Sequence, residues 1–283
     1  MIIGLTNGAT RYLSRGRDEM LDMSQILELG KKSKGRIGIG SGSRSDIVRS
    51  CVGESRSRGL PAVDVYESAE SLCDDLKSRK ICAAVRGTLS SNDILPMIKS
   101  TFGIPKVLRV AFLSTSRGKP FLLAPVGIDE GNSLEERFEI MMQGVKFLRC
   151  LGVTPTISVL SKGRQEDSAR GEEIARSLRE GEALTELASN EGLVAKHEHI
   201  LVEKAAEETD FVMAPDGVTG NLIFRSLYFL GGGAAWGAPV VNIGKVFVDT
   251  SRDKRTYLDS IALAAALCAA RERTGQVKSI YRD

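Results

Sequence analysis

The chain has 283 residues, of which 42% are hydrophobic and 27% are charged, and its formal net charge is +3. This composition is typical of a globular protein with one large or two modest domains. The small net charge does not indicate a nucleic-acid partner, and no apolar run approaches the roughly 20 residues that span a bilayer. The opening segment 1–6 is too short for a signal-peptide core and has no basic region before it. We therefore expect a cytoplasmic protein that binds neither nucleic acid nor membrane.

Cysteine, histidine and clustered basic residues do not indicate a metal site or a nucleic-acid site. The five cysteines, at positions 51, 73, 82, 150 and 268, are odd in number and lack metal-type spacing. We expect buried free thiols in a reducing compartment. With only His197 and His199 present, neither a histidine-dependent triad nor a multi-histidine metal site is predicted, and no metal ligand is assigned. The basic clusters 31–36 and 109–119 are interpreted as solvated surface.

Strand-like and helix-like patterns alternate through the first third of the chain. The predicted strands are 35–40, 63–66 and 81–85. The predicted helices are 45–58, 69–79 and 92–102. A repeat of this kind predicts a parallel sheet with right-handed crossovers.

The pattern changes in the middle of the chain. Two apolar segments, 107–115 and 120–126, are separated by Ser116-Arg-Gly-Lys119, which is typical of a hairpin rather than a crossover. The remaining predicted elements are helix 133–151, strand 156–160, helix 171–188, a strand beginning at Phe211, strand 239–243 and helix 257–274. A hairpin inside an otherwise wound α/β chain indicates two lobes that meet there.

The most informative segment begins with Asp216-Gly-Val-Thr-Gly-Asn221, which leaves a buried strand and enters a helix. The apolar face of that helix is predicted to be Leu222, Ile223, Leu227 and Leu230. Backbone N–H groups at the positive end of a helix suit a phosphate, a carboxylate or an oxyanion. The candidate binding residues are therefore Asp216, Thr219, Gly220 and Asn221. The alternative is an ordinary turn, in which Asp216 or Thr219 caps the helix and the glycines supply positive φ.

This segment and those that follow it resemble a known family. The segments, in order, are Asp216–Asn221, Leu230-Gly-Gly-Gly233, Ala238-Pro-Val-Val241, Gly244-Lys-Val246 and Asp249-Thr-Ser-Arg252. Together they resemble the phosphate acetyl/butyryltransferase family, and the first loop also resembles that of the phosphate:acyl-ACP acyltransferases. Within this superfamily the chain as a whole is most similar to the methanogen group called MtxX, or methanogenesis marker 4, which is named as methyltransferase-related.

The resemblance implies a two-lobed α/β/α sandwich of the isocitrate/isopropylmalate-dehydrogenase type, with the active site in the cleft between the lobes. The implied first lobe is 1–130 together with 244–283, and the implied second lobe is 131–243. A transferase that moves an acyl group between CoA or another carrier and phosphate is implied, and a homodimer is expected. No permanently bound cofactor is expected, because CoA or an acyl phosphate would be a substrate. The expected partner is therefore a small anionic or phosphorylated molecule.

A glycine-rich turn lies earlier in the chain, at Gly38–Gly42, between a predicted strand and a predicted helix. Such a turn can hold a dinucleotide or the adenosyl group of S-adenosylmethionine, with Asp64 or Glu67 near the ribose. Glycines at such a turn also serve close packing between a strand and a helix. This turn supports a methyltransferase as the alternative to an acyltransferase.

Further candidate binding residues follow two predicted strands. Arg86 ends one strand, and Ser90 and Ser91 precede the next helix, so a guanidinium beside helix N–H groups would suit a phosphate. The alternative is a serine cap with a surface arginine. Where the resembling family has an arginine just before the proline of this helix, the present chain has Leu95. Lys162, in the loop after the strand at 156–160, is a candidate contact for an anionic tail or, alternatively, a solvated loop residue.

By the resemblance, Ser251 and Arg252 bind CoA and stabilise the carbonyl group, and Asp259 corresponds to the base that deprotonates the thiol. Asp259 lies one residue further from the Ser-Arg pair than the base of the family, and one residue turns a side chain by about 100° on a helix. The alternative for this segment is that Asp253 and Thr256 cap the last helix. The alternative for the whole chain is a methyltransferase-related or accessory ligand-binding protein of methanogenesis without acyltransferase activity.

Overall fold

The structure, a computed structural model, describes residues 20–274. The segment 1–6, where no signal peptide was expected, lies outside the described residues, as do the ends of the expected first lobe, 1–19 and 275–283. The elements before the central hairpin are α1 (Met23–Gly30), β1 (Ile37–Gly40), α2 (Ser45–Ser57), β2 (Val63–Tyr66), α3 (Ala69–Lys77), β3 (Ala83–Val85) and α4 (Ser91–Phe102).

The second part of the described chain begins with the hairpin. Its elements are β4 (Ala111–Ser114), β5 (Pro120–Ala124), α5 (Leu134–Cys150), β6 (Thr156–Leu160), α6 (Glu172–Asn190), β7 (Val194–His199), α7 (Val202–Glu208) and β8 (Phe211–Met213). The last elements are α8 (Gly217–Arg225), a π-helical turn (Ser226–Leu230), β9 (Ala234–Pro239), β10 (Val246–Asp249) and α9 (Leu258–Thr274).

Several helices begin where a serine can accept a hydrogen bond from a free backbone N–H group. Ser68, Ser90 and Ser133 are the N-caps of α3, α4 and α5, and each accepts from an N–H two or three residues further along. This pairing satisfies a donor that the first helical turn leaves unbonded. At its other end α4 stops at Gly103, whose φ of +68° is the left-handed conformation that favours glycine.

Within the described residues ten strands form one mixed sheet, in the order β2-β1-β3-β10-β9-β4-β5-β8-β6-β7. Four neighbours at one side, β2, β1, β3 and β10, run parallel, and so do β5, β8, β6 and β7 at the other side. Between them β9 is antiparallel to both β10 and β4, and β4 forms an antiparallel hairpin with β5. The predicted two-lobed α/β sandwich, with the hairpin at the junction, is confirmed. The expected lobe boundaries stay a prediction.

Helix α9 ties the two parts of the sheet together. It contacts α1, β3, β9, β10 and α5. The predicted apolar side, Ile261, Ala264, Ala265 and Cys268, is buried. Small side chains allow close approach here, because a Cβ on Gly30 of α1 would come within 2.9 Å of the Ala262 carbonyl oxygen. The start of α9, and the loop before it, is therefore fixed against both lobes.

The predicted strand at 239–243 is wrong. The strand is β9, which ends at Pro239, and Val240 forms only an isolated bridge with Arg109. The small residues Ala234 and Ala235 carry little strand preference of their own, and pairing with β4 and β10 fixes the strand instead. The elements α1, β7 and α7 were not predicted. Strand β7 lies at the edge of the sheet, and its sequence, Val-Ala-Lys-His-Glu-His, has no alternation of apolar and polar residues.

The helix that follows Asp216 does not bury the whole predicted apolar face. Leu222 and Leu230 are 60% and 86% exposed, whereas Ile223 and Leu227 are half-buried and pack against the core of the second lobe. The five cysteines are all free, as expected, although Cys82 and Cys150 are only partly buried. Among the described helices, none is long and apolar enough to cross a membrane.

Candidate functional site

A cavity of about 610 Å³ lies between the two lobes. The turn after β3 and the start of α4 line one side, and the segment 126–129 after β5 and part of α8 line the other. The turn between β10 and α9, 249–254, closes one side. These segments follow the carboxyl ends of β3, β5 and β10, which is where open α/β sheets usually place a ligand.

Asp249 joins two arginines at the floor of this cavity. Its Oδ1 accepts a hydrogen bond from Nη1 of Arg86 at 2.9 Å, and its Oδ2 accepts one from Nη1 of Arg109 at 2.8 Å. Asp249 is 5% exposed. Burial alone would raise the pKa of Asp249, but Arg109 and Arg86 outweigh it and hold that pKa below its ordinary value. Asp249 is therefore an ionised bridge.

Glu130 completes this network from the loop after β5. Its carboxylate has no exposed surface and lies 2.6 Å from Nε of Arg109. Burial raises the pKa of Glu130, and Arg109 offsets part of that rise. A Cβ on Gly127 would overlap both of these side chains, so the glycine makes room for the pair. Because buried charges need partners, the four charges of Arg86, Arg109, Asp249 and Glu130 neutralise one another.

The interpretation of 109–119 as solvated surface is wrong for Arg109, whose side chain is 11% exposed. Sequence reasoning missed Arg109, Glu130 and Asp249 as parts of the site. The signal was weak, since Arg109 sits in an apolar segment and its partners lie 21 and 140 residues away. An arginine within a predicted buried strand is the clue that would have found the network.

The lining of the cavity has more cations than acids. Among the described lining residues five are cationic and three are acidic, but Glu130 and Asp259, outside the lining, pair with Arg109 and Lys254 and offset the difference. The cations are Arg86, Arg109, Arg225, Arg252 and Lys254, and the acids are Asp129, Asp249 and Asp253. Within residues 20–274 the guanidinium of Arg252 makes no hydrogen bond or ion pair, and Arg225 lies over the ring of Phe229, with Cζ 5.0 Å from the centroid. Arg252 is thus available to a ligand.

The start of α4 faces the same cavity. Ser91, Asn92 and Leu95 line it, while the Ser90 hydroxyl accepts a hydrogen bond from the Asn92 N–H at 3.2 Å. The capping alternative is therefore correct for Ser90. The surface-arginine alternative is wrong, because Arg86 is 7% exposed and lines the cavity floor. The positive end of a helix beside Arg252 favours an anionic group.

The segment 216–221 contributes Asn221 to the cavity but not Asp216, Thr219 or Gly220. Asp216 caps α8, because its Oδ1 accepts from the Thr219 N–H at 2.7 Å. A Cβ on Gly217 or Gly220 would overlap the carbonyl oxygens of Gly127 and Pro125. These glycines therefore let α8 pack against the 125–127 segment. The alternative that they supply positive φ is wrong, because Gly217 and Gly220 both have negative or extended φ.

Lys162 lies in a separate polar cavity of about 210 Å³, which Asp216 also lines. Its Nζ is 2.7 Å from Oε1 of Glu173 and 2.9 Å from Oδ2 of Asp216. These two carboxylates, Glu173 foremost, raise the pKa of Lys162. The charge of Lys162 is already neutralised, and the structure does not bring it to the interlobe cavity.

The turn 249–259 separates the three residues expected to be catalytic. Ser251 and Arg252 line the cavity, but Asp259 does not. Oδ1 of Asp259 lies 2.8 Å from Nζ of Lys254, a buried lysine that does line the cavity. Asp259 thus lies behind Lys254. The Thr256 hydroxyl accepts from the Leu258 N–H at 3.2 Å and caps α9, as the alternative for this segment proposed, whereas the Asp253 carboxylate makes no hydrogen bond to the helix within the described residues.

The glycine-rich turn 38–42 is filled by the neighbouring turn 86–89. A Cβ on Gly40 would overlap the Arg86 carbonyl oxygen, and the Gly42 N–H donates to Oγ1 of Thr88 at 2.7 Å. Asp64 is paired with Arg36, whose Nε donates to Oδ2 at 2.7 Å. The packing alternative accounts for the glycines of this turn.

No protein-family model matches the chain. Solved structures with the same fold include two phosphate acyltransferases. A branched-chain phosphotransacylase from Enterococcus faecalis has a TM-score of 0.62 and 16% identity, over 82% of this chain and 99% of that chain. A phosphotransacetylase from Streptococcus pyogenes has a TM-score of 0.62 and 16% identity, over 89% of this chain and 100% of that chain. At this identity the likeness shows the fold.

The sequence relatives are archaeal. A protein of Methanosarcina mazei named "Putative methyltransferase mtx subunit X" is 44% identical over 209 residues, which are 74% of this chain and 75% of that protein. The protein of the same name in Methanosarcina acetivorans is 44% identical over 208 residues, or 74% of each chain. These identities confirm the predicted group, and the chain belongs to the Mtx subunit X family, on the fold of the phosphate acyltransferases.

Proposed function

We propose that the protein is a transferase that moves an acyl group between CoA, or another thiol carrier, and phosphate in methanogen metabolism. The main support is Arg252, which lines the interlobe cavity with the start of α4 and whose guanidinium has no partner among the described residues. A phosphate group would supply the negative charge that this guanidinium and the positive end of α4 favour. The cavity volume of about 610 Å³ is in the range typical of small-molecule sites.

In the proposed reaction the thiolate sulfur of the carrier attacks the carbonyl carbon of an acyl phosphate. The carbon–oxygen bond to phosphate then breaks, phosphate leaves with the bonding electrons, and the thiol proton goes to a base. Arg252 stabilises the oxyanion of the tetrahedral intermediate, and Ser251 binds the carrier beside it. The start of α4 receives the phosphate together with Arg86, whose Nε and one Nη1 N–H are engaged by Leu89 and Asp249, so that Nη2 and the second Nη1 N–H remain as donors.

The proton acceptor is a choice between two aspartates. Asp253 lines the cavity directly after Arg252, and its side chain is exposed. Asp259 is held by Lys254 and lies outside the lining. We assign the base to Asp253 and a supporting role to Asp259, because a base must come within hydrogen-bonding reach of the proton it removes.

The remaining expected binding residues act through α8 in this proposal. Asn221 faces the cavity, with its Nδ2 fixed by the Val126 carbonyl oxygen at 2.9 Å. Asp216, Thr219 and Gly220 set the start and packing of α8, and Lys162 fixes Asp216 from the other side. Their loss would then change substrate binding through the placement of Asn221.

A second candidate function is a methyltransferase-related or accessory protein without acyl transfer. The names of the sequence relatives favour it, and so does Leu95 on the cavity wall, where the resembling family has an arginine. The filled glycine turn 38–42 speaks against an adenosyl group at that place.

Calorimetry distinguishes the two candidates. Inorganic phosphate, CoA and S-adenosylmethionine would each be titrated into the wild-type protein and into Arg252→Ala. Phosphate or CoA binding that is lost in Arg252→Ala is the expected result. Binding of S-adenosylmethionine that survives Arg252→Ala, with no binding of phosphate or CoA, would replace the acyltransferase proposal by the second one.

Two further proposals concern the setting of the protein. Five free cysteines support a reducing compartment such as the cytoplasm. Leu222 and Leu230, which are 60% and 86% exposed on one surface segment, support a homodimer, because adjacent exposed apolar side chains often mark an interface. Light scattering that gives the mass of a single chain at micromolar concentration would contradict the dimer.

A further inference from the structure

The backbone that carries Arg252 is held by side chains from elsewhere in the fold. The Tyr257 hydroxyl lies 3.2 Å from the carbonyl oxygens of both Ser251 and Arg252. Nη1 of Arg44 donates to the carbonyl oxygen of Arg252 at 3.0 Å and to that of Lys254 at 3.4 Å. The turn has no strand or helix of its own between 250 and 257. Its shape therefore depends on these donors.

We propose that Arg44 is a positioning residue, which fixes the backbone at Arg252 and so directs the Arg252 guanidinium into the interlobe cavity. Arg44 comes from the start of α2, some 208 residues away along the chain. It is half-buried and forms no ion pair with a carboxylate within residues 20–274. Its charge is used on two carbonyl oxygens, and such charge-assisted bonds are stronger than neutral ones.

The backbone at Arg252 directs its side chain. Its guanidinium has no partner of its own within the described residues, so no contact at the tip sets its direction. A side chain of this kind takes its direction from the backbone beneath it. The two carbonyl groups held by Arg44 are that of Arg252 itself and that of Lys254, two residues later.

The other two supports of the turn are Tyr257 and Lys254. Tyr257 has no exposed surface, and burial raises the pKa of its hydroxyl to about 12, so it stays protonated. Lys254 directs Nζ to the Ala235 carbonyl oxygen at 2.6 Å, to Oδ1 of Asp259 at 2.8 Å and to Oγ of Ser260 at 3.1 Å. These three acceptors match the three N–H donors of an ammonium group. Arg44 is thus the support that comes from outside the turn, from the start of α2.

This role gives the motif 37–44 a function without a cofactor. The glycines let β1 and α2 pack against the turn 86–89, and the packed turn ends at Arg44. The sequence indicated that this turn could hold an adenosyl group. In the structure the residue after it, Arg44, instead supports the backbone of Arg252. The inference rests on the proposed role of Arg252, but its structural part can be tested without any activity.

Hydrogen–deuterium exchange tests the structural part. The variants are Arg44→Ala, Arg44→Lys and, as control, Arg49→Ala, which changes an exposed arginine of the same helix. We expect the amides of 250–257 to exchange roughly 10-fold faster in Arg44→Ala, the effect of losing a bond of the charge-assisted class. Arg44→Lys should restore part of the protection, because one ammonium can reach one carbonyl group. Arg49→Ala should match the wild type.

Two results would overturn the inference. One is unchanged exchange of 250–257 in Arg44→Ala. The other is faster exchange throughout the chain, with no restoration by lysine, which would show a general role in stability. In the acyl transfer assay, Arg44→Ala should lower kcat by roughly 10-fold with KM for CoA little changed. If the wild type has no acyl transfer activity, the proposed function fails, and the exchange experiment still decides on the role of Arg44.

Discussion

Glu130 and Arg109 form an ion pair beneath the interlobe cavity, with 2.6 Å between Oε1 and Nε and no exposed surface on Glu130. The pair joins the loop after β5 to the start of β4. Since Arg109 also bonds to Asp249, Glu130 is connected through an arginine to the turn that carries Ser251 and Arg252.

Glu130→Gln should destabilise the fold. The amide keeps the shape but leaves Arg109 with one charged partner fewer in a buried place, which costs roughly 3 kcal/mol or more. Urea denaturation followed by circular dichroism measures the free energy of unfolding. The matched control is Asp129→Asn, since Asp129 is 57% exposed and lies 3.7 Å from Arg109, and a surface pair contributes at most about 1 kcal/mol. Equal losses in the two variants would contradict this prediction.

Asp249 should make stability depend on pH on the acid side. Its pKa is lower in the folded protein than the ordinary value of 3.8, so the unfolded chain binds a proton more readily. The stabilisation is then present above the ordinary value and is lost as the pH falls through the folded pKa. The difference in unfolding free energy between wild type and Asp249→Asn should therefore shrink as the pH falls below about 4. A difference that stays constant down to acid unfolding would show that the charge of Asp249 has no part in it.

Arg252→Ala should cut acyl transfer by roughly 10²–10³-fold, the range for removing an oxyanion donor. Its melting temperature should stay near that of the wild type, because the guanidinium has no partner within residues 20–274. Arg255→Ala is the control, an exposed arginine of the same turn that does not line the cavity. Equal turnover in Arg252→Ala and wild type would rule out this role for Arg252.

Asp253→Asn and Asp259→Asn should separate the base from its neighbour. If Asp253 accepts the thiol proton, Asp253→Asn should lower kcat by roughly 10²-fold or more with little change in stability, since its side chain is exposed. Asp259→Asn should lower the melting temperature, because the ammonium of buried Lys254 loses its carboxylate. A large loss of kcat in Asp259→Asn alone, with stability unchanged, would return the base to Asp259.

Gly220→Ala should destabilise the protein, and Gly53→Ala should stabilise it. Both glycines lie inside helices, but a Cβ at Gly220 would overlap the Pro125 carbonyl oxygen, whereas nothing lies within 4 Å of one at Gly53. Overpacking costs roughly 1–3 kcal/mol, and alanine in a helix gains up to about 1 kcal/mol over glycine. Shifts of the same sign in thermal unfolding would contradict the packing explanation.

The sequence predicts the fold well because its pattern is locally strong. Alternation at 35–102 and the Ser116–Lys119 turn indicate the parallel sheet and the hairpin without reference to distant residues. The site is predicted less completely. Arg86, Ser91, Asn221, Ser251 and Arg252 do meet at the cavity. The Arg109–Asp249 contact joins residues that are 140 positions apart, and Asp259 is held away from the cavity by its contact with Lys254. Local sequence patterns could predict neither of these two contacts.

The central pair of strands sets a mechanical limit on the protein. Because β9 is hydrogen-bonded to β10 on one side and to β4 on the other, the sheet runs unbroken from lobe to lobe. A hinge closure like that of two domains on a flexible linker would have to break this ladder. A relative movement of the lobes therefore has to bend or twist the sheet across β9 and β10, whose ladder consists of the pairs Val248–Pro239 and Asp249–Ala238. For the proposed acyl transfer, selectivity among acyl groups would then depend on how far this ladder lets the cavity narrow around wall side chains such as Leu95.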